Sequence, residues 1–185
     1  MIESTYSLSR YKRPAVFLDR DGVLCAEKGY VTQIKELDLF PFAKRCIDLL
    51  HQKGFLAICI TNQSAVARGM MSELVLQEIN QYLLRELSLD ALYYCPHHPQ
   101  GGGTYRRICN CRKPKTGMVD RAVEVLCIDR KSSYLVGDRA SDILCGQSAG
   151  LKTVLVESGY GTACLEQPVH ADFVYQDLMA FVNNL

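Results

Sequence analysis

The run Val16-Phe17-Leu18-Asp19-Arg20-Asp21-Gly22 governs the reading of this chain. An apolar stretch of strand character stops at a carboxylate, a second carboxylate follows two residues on, and a glycine turns the chain. An isolated buried charge is very costly, so a carboxylate at the mouth of a buried strand calls for a partner. A metal ion, or a phosphate held by one, supplies that partner. The other parts of such a site are then expected at the ends of later strands.

Outward from this run, Ala15 to Leu18 reads as a short buried strand and residues 22–40 as a loop with Lys28-Gly29-Tyr30 at its tip. Pro41 is placed as a first-turn proline, before Phe42, Cys46, Leu49 and Leu50 at helical spacing. Gly54 stops that helix, and Phe55 to Ile60 forms a second apolar strand ending at Thr61-Asn62. Ser72 caps a helix reaching about Leu87, and Ala91 to Tyr94 is a third strand. A loop rich in glycine and proline runs from Cys95 to Thr116, and Gly117 to about Leu126 is helical. Ser133 to Val136 is a fourth strand, ending at Gly137-Asp138. Ser141 caps a helix closed by Gly150, and Thr153 to Val156 is a fifth strand. An edge strand near Phe173-Val174 and a helix from Asp177 complete the chain. Strands rich in Val, Ile and Leu that alternate with helices imply an α/β fold, with a mostly parallel sheet covered on both faces.

Composition narrows the function. With 48% hydrophobic residues in 185, the chain suits one domain at residues 14–185 after a loose polar arm at 1–13. Twenty-one basic against 20 acidic residues argue against a nucleic-acid or membrane-surface partner that relies on bulk charge. No stretch nears the roughly 18 apolar residues of a membrane span, and the arm lacks the apolar segment of a signal peptide. Of nine cysteines, Cys25, Cys46, Cys59, Cys127, Cys145 and Cys164 are scattered singly, and Cys95, Cys109 and Cys111 cluster. That pattern fits reduced thiols in a cytoplasmic protein with one metal-like group.

The chemistry is expected at strand ends, because ligands of open parallel sheets bind beyond their carboxyl edges. Asp19 is placed as a nucleophile toward phosphorus, splitting hydrolysis into two steps. Asp21 is placed as the acid that protonates the leaving oxygen and the base that later activates water. Asp138, like Asp19, is a hard-oxygen ligand suited to Mg²⁺, and Asp142 stands one helical turn on to hold a metal-bound water or orient a neighbour. Thr61 offers a hydroxyl and an N–H to a phosphate oxygen, and Lys113 a compact positive charge. Taken singly, Asp21-Gly22 is a common turn, Thr61-Asn62-Gln63-Ser64 a capping loop, and Lys113 a surface residue. Their joint occurrence in this order carries the inference.

Cys95 and His97 form one pair and Cys109 and Cys111 another, with eleven residues between the pairs. Three thiolates and an imidazole match a closed, structural Zn²⁺ site, although the spacing within each pair is tighter than usual and His98 competes with His97. Such a clip would order a glycine-rich loop and aim Arg112 and Lys113 at the crevice.

Together these residues resemble the haloacid dehalogenase superfamily of phosphatases, whose four motifs match Asp19-Arg20-Asp21-Gly22, Thr61-Asn62-Gln63-Ser64, Lys113, and Gly137-Asp138 with Asp142. More narrowly the chain is similar to the D-glycero-D-manno-heptose 1,7-bisphosphate 7-phosphatases. That match also rests on Gly29-Tyr30-Val31, Ala67-Arg68-Gly69, Tyr93 to Pro99 and Cys109 to Pro114. The resemblance implies a three-layer Rossmann-like fold without a large cap domain. It also implies Mg²⁺ on Asp19, the backbone carbonyl of Asp21, and Asp138, and Zn²⁺ on Cys95, His97, Cys109 and Cys111. Arg20, Glu27, Lys28, Gly29, Tyr30, Asn62, Gln63, Ser64, Arg112 and Arg139 would contact a small phosphorylated sugar, with the enzyme acting as a monomer. Cys25 to Lys28 and Arg139 depart from the family pattern, which bears on the sugar and on a second phosphate. Histidinol-phosphate phosphatases share the motifs, and a non-catalytic sugar-phosphate binder is the rival from another class. The paired carboxylates argue against the binder.

Overall fold

The first strand, β1 (Ala15–Leu18), is buried throughout, and its side chains alternate between two cores. Val16 and Leu18 enter one apolar cluster, Ala15 and Phe17 the other, as befits a strand covered on both faces. The structure, a computed structural model, describes residues 12–161 and 169–185. Five further strands complete the sheet: β2 (Leu56–Asn62), β3 (Ala91–Cys95), β4 (Tyr134–Gly137), β5 (Lys152–Val156) and β6 (Phe173–Tyr175), with β2 and β4 flanking β1. Their order is β3-β2-β1-β4-β5-β6, and every pairing is parallel. The mostly parallel sheet expected is therefore wholly parallel among the described residues.

Helices α1 (Ala43–Gln52), α2 (Glu73–Leu87) and α5 (Leu178–Asn183) cover one face through Ile47, Leu50, Ile79, Leu83 and Phe181. On the other face lie α3 (Gly117–Leu126) and α4 (Ala140–Ala149), which contribute Val119, Ala122 and Cys145. The result is the three-layer α/β architecture. The link from β1 to α1 holds one 3-10 turn (Ile34–Glu36) and no further α-helix, so no cap domain is inserted there. Among the described residues no helix is long and apolar enough to cross a membrane.

Several boundaries differ from expectation, each for a local reason. Thr61 and Asn62 continue β2, because their backbones still pair with Tyr94 and Cys95 of β3. Pro41 stands ahead of the N-cap Phe42, outside the first turn of α1. Ser141 lies inside α4 and does not cap it; the Asp142 carboxylate takes that role by accepting from the Arg139 N–H at 3.2 Å. Ser72 does cap α2, accepting from the Val75 N–H at 3.2 Å. Most of the N-terminal arm, and Cys164, fall outside the described residues. Its last residue, Arg13, is not loose: its N–H donates to the Cys127 carbonyl, and its carbonyl accepts from the Asp129 N–H.

Candidate active site

The chain winds outward from β1 through β2 to β3 and then returns to β4 on the other side of β1. Asp19 and Asp138, which follow β1 and β4, thus meet where the winding reverses, the usual ligand position in such a sheet. Lys113 reaches the same point from the loop between β3 and α3. It is fixed there by Asn62, whose side-chain amide donates to the Lys113 carbonyl and accepts from its N–H, both at 3.1 Å. The buried ammonium Nζ donates to the Ile60 carbonyl at 2.9 Å and pairs with Asp19 Oδ1 at 2.9 Å and Asp142 Oδ1 at 2.7 Å.

Three buried carboxylates facing one ammonium leave an excess of negative charge. Burial first, against the pull of Lys113, pushes the Asp19 carboxyl up to about 7, and Asp142, Asp138 and Asp21 add to the rise. Burial likewise raises Asp138 to about 6, although its carboxylate accepts from the Tyr160 N–H. Burial opposes the charge on Lys113, yet Asp142 and Asp19 hold the ammonium above its ordinary value. Candidate ligand oxygens of Asp19, Asp138 and Asp142 all lie within 4.8 Å of one another. Asp138 Oδ1 is buried with no hydrogen-bond partner. A hard, oxygen-seeking divalent cation fits this donor set. Two glycines make the room: a Cβ on Gly22 would come within 2.4 Å of Asp138 Oδ2, and one on Gly159 within 2.1 Å. Asp142 had been expected as an accessory; it joins the carboxylate cluster directly and also orients Lys113.

Asp21 faces the cavity from a separate clasp. The Arg20 guanidinium donates to both its oxygens at 2.8–3.1 Å, and the Gln63 amide donates to Oδ2 at 3.1 Å and to the Thr61 hydroxyl at 2.9 Å. This corrects one expectation, since Arg20 is only 1% exposed and its side chain is spent on Asp21 instead of facing a ligand. Lys28 is also placed away from the cavity, paired with Asp38 at 2.9 Å.

Above this floor opens a cavity of about 390 Å³. It is lined by Asp19, Asp21, Thr61 and Lys113 together with Glu27, Gly29, Tyr30, Asn62, Gln63, Ser64, Arg112 and Arg139, as the sequence led one to expect. The rim is cationic. Arg139 lies 4.0 Å over the Tyr160 ring and pairs with Glu27 at 2.8 Å, while Arg68 lies 5.8 Å over the Tyr30 ring.

Cys95, at the end of β3, gathers with His97, Cys109 and Cys111. The three sulfurs lie 3.1–3.5 Å apart, and His97 Nδ1 is 3.3 Å from Cys111 Sγ and 3.7 Å from Cys95 Sγ. These spacings are too long for disulfides and near the ~3.8 Å edge of a tetrahedron with zinc–sulfur bonds of about 2.3 Å. Burial first, then Arg107, holds the imidazole below its ordinary value, which favours the uncharged form that ligates. His98 is not in the cluster; it lines the cavity.

A family model described as HAD-hydrolase-like matches residues 110–181. The D-glycero-β-D-manno-heptose-1,7-bisphosphate 7-phosphatase of Haemophilus ducreyi is 41% identical over 181 residues, covering 92% of this chain and 99% of that protein. The chain belongs to this family of haloacid dehalogenase-type phosphatases. Its namesake from Pasteurella multocida is 46% identical over 80% of this chain and 83% of its own length. In three dimensions this phosphatase superposes on the D,D-heptose 1,7-bisphosphate phosphatase of B. bronchiseptica, solved with magnesium and phosphate. The TM-score is 0.82 at 30% identity, covering 92% of this chain and 97% of that one. Membership makes the chain an enzyme, a phosphoric monoester hydrolase.

Four residues that line the phosphatase cavity escaped the sequence-based site: Arg68, His98, Ser141 and Tyr160. Arg68 sits in a run already singled out, Ala67-Arg68-Gly69, so a signal existed. Tyr160 follows the fifth strand between two glycines, a loop at the sheet edge where ligands bind. Ser141 was read as a cap, and His98 as a rival metal ligand.

Proposed function

We propose that this enzyme removes the 7-phosphate of D-glycero-β-D-manno-heptose 1,7-bisphosphate, in a pathway that supplies activated heptose, through an aspartyl-phosphate on Asp19. The observation that carries the reading is the strand-end carboxylate floor beneath a cation-rimmed cavity, in a chain so similar to the heptose phosphatases. In the first step an Asp19 oxygen attacks phosphorus, the bond from phosphorus to the sugar oxygen breaks, and Asp21 delivers a proton to that oxygen. Water then attacks the phosphorus, Asp21 takes its proton, and the bond to Asp19 breaks to release phosphate. Lys113 and the Thr61 hydroxyl hold the phosphoryl oxygens as charge moves among them. Mg²⁺, held by Asp19, Asp138 and the Asp21 carbonyl, would neutralise phosphoryl charge when bound. Zn²⁺ on Cys95, His97, Cys109 and Cys111 would be structural, since four protein ligands leave no position for water.

Arg112 and Arg139 suit the phosphate that the substrate retains. Glu27 is the acidic residue among those lining the rim, and it is paired with Arg139 and accepts from the Gly29 N–H. It is therefore poorly placed to receive the ammonium of histidinol phosphate. The free cysteines of the described residues support a cytoplasmic site of action.

The test is kcat/KM with Mg²⁺ for both heptose 1,7-bisphosphate anomers and for histidinol phosphate. A preference of about tenfold or more for the β anomer is expected, since a misplaced anionic group forfeits a charged hydrogen bond. Preference for histidinol phosphate would overturn the substrate while leaving the chemistry standing.

A further inference from the structure

We propose that Glu73, outside the cavity, is a positioning residue that anchors the outer turn of the cysteine loop through Tyr105 and so sets how His98 and Arg112 face the substrate. The inference rests on reading the cavity as the substrate site. Glu73 is the first residue of α2, just beyond the segment that carries Ser64 and Arg68 into the cavity. Its Oε2 accepts from the Tyr105 hydroxyl at 2.7 Å, and its Oε1 from the Tyr94 hydroxyl at 3.0 Å.

Tyr105 lies between the two metal-type pairs. Its ring is 6.2 Å from that of His97, and its carbonyl accepts from the His98 N–H at 3.1 Å. The tether on Glu73 is thus one residue away from a side chain that lines the cavity. His97 in turn accepts from Arg112 through its carbonyl at 3.4 Å. Besides the Arg107 guanidinium, which lies 2.5 Å from His97 Nε2, the turn has few other side-chain holds: Gly101, Gly102 and Gly103 offer none, and Ile108 is 78% exposed. Its backbone is held at Gly102, whose N–H donates to the Ala67 carbonyl at 2.6 Å.

A carboxylate suits this place because two hydroxyl donors meet two acceptor oxygens. Hydroxyl bonds to a carboxylate are about twice as strong as neutral ones. A glutamine would offer one acceptor and turn an N–H toward the other hydroxyl. The Tyr94 arm, by contrast, ties α2 to β3 and does not reach the loop, which makes it an internal control.

The experiment compares Glu73→Gln, Tyr105→Phe and Tyr94→Phe with the wild type by hydrogen exchange of residues 98–108 and by steady-state kinetics. Glu73→Gln and Tyr105→Phe are expected to speed loop exchange and raise KM about five- to tenfold, with kcat within about twofold, the loss of one charged hydrogen bond. Their double variant should be no worse than either alone, and Tyr94→Phe should leave both readouts unchanged. Unchanged loop exchange in Tyr105→Phe, faster exchange without a change in KM, or the same effects from Tyr94→Phe would each overturn the proposal. Should the wild type fail to turn over heptose bisphosphate, the substrate assignment falls, and loop exchange alone then decides the anchor.

Discussion

Removing the charge of Asp19 is expected to stabilise the magnesium-free protein while abolishing turnover. In the fold this carboxyl titrates at about 7, against its ordinary 3.8, through burial first and then neighbouring carboxylates, with Lys113 pulling the other way. A folded-state pKa above the unfolded one means that ionisation opposes folding. The cost is absent below pH 3.8, grows between 3.8 and about 7, and is constant above that. Roughly three pH units at ~1.4 kcal/mol each amount to about 4 kcal/mol. Asp19→Asn removes this cost, which is already net of the attraction between Asp19 and Lys113. The gain expected is ~4 kcal/mol, a rise in Tm of about 8–16 °C for a chain of this size. Thermal unfolding in magnesium-free buffer measures it: the variant should be the more stable near pH 8, and its advantage should shrink to about 1 kcal/mol near pH 4.5. Saturating Mg²⁺ should favour the wild type, because a ligand at free concentration L that binds only the native site stabilises by RT ln(1 + L/Kd) and the variant lacks one of its carboxylate donors. A variant less stable than the wild type near pH 8 without Mg²⁺, or an equal gain from Mg²⁺ in both proteins, would refute the account of the carboxylate floor.

Two further outcomes follow from the same geometry. Gly159→Ala places a Cβ within 2.1 Å of Asp138 Oδ2; displacing that carboxylate by about an ångström should lower kcat about a hundredfold. Circular dichroism should stay native, and an unchanged kcat would show that Asp138 has slack. Cys109→Ser removes one of the four donors of the cysteine cluster. Metal analysis should show zinc lost from the purified protein and KM raised, whereas full zinc retention would place the metal elsewhere.

The strand ends were legible because each announces itself twice, once as a buried apolar run and once as the polar residue that stops it. Asp19, Thr61 and Asp138 all belong to this class. Arg20 misled because its neighbours in sequence are all in the site; only the fold reveals that its guanidinium turns inward to clasp Asp21. Asp142 was legible as a neighbour but not as the partner of Lys113, since that ion pair joins positions far apart in the chain. Arg68, His98 and Tyr160 contribute side chains from loops, where no periodicity constrains direction and long-range packing decides which way each points.

The placement of these groups divides the labour of the site. Asp19, Thr61 and Asp138 ride on or directly after strands of one sheet, where backbone pairing holds them. Lys113 is the member of this floor delivered by a loop, the same loop that carries His98 and Arg112 to the rim. A catalytic cation on such a loop needs its own fixing, and Asn62 supplies it by gripping the Lys113 backbone from both sides while the ammonium is held by Ile60, Asp19 and Asp142. That grip lies between the floor and the outer turn. Loosening the turn at Glu73 or Tyr105 should therefore move the rim and spare Lys113, so affinity falls while the chemical step holds. Loosening Asn62, which also lines the cavity, should lower kcat as Lys113 shifts, so a fall in kcat distinguishes movement of Lys113 from movement of the outer turn.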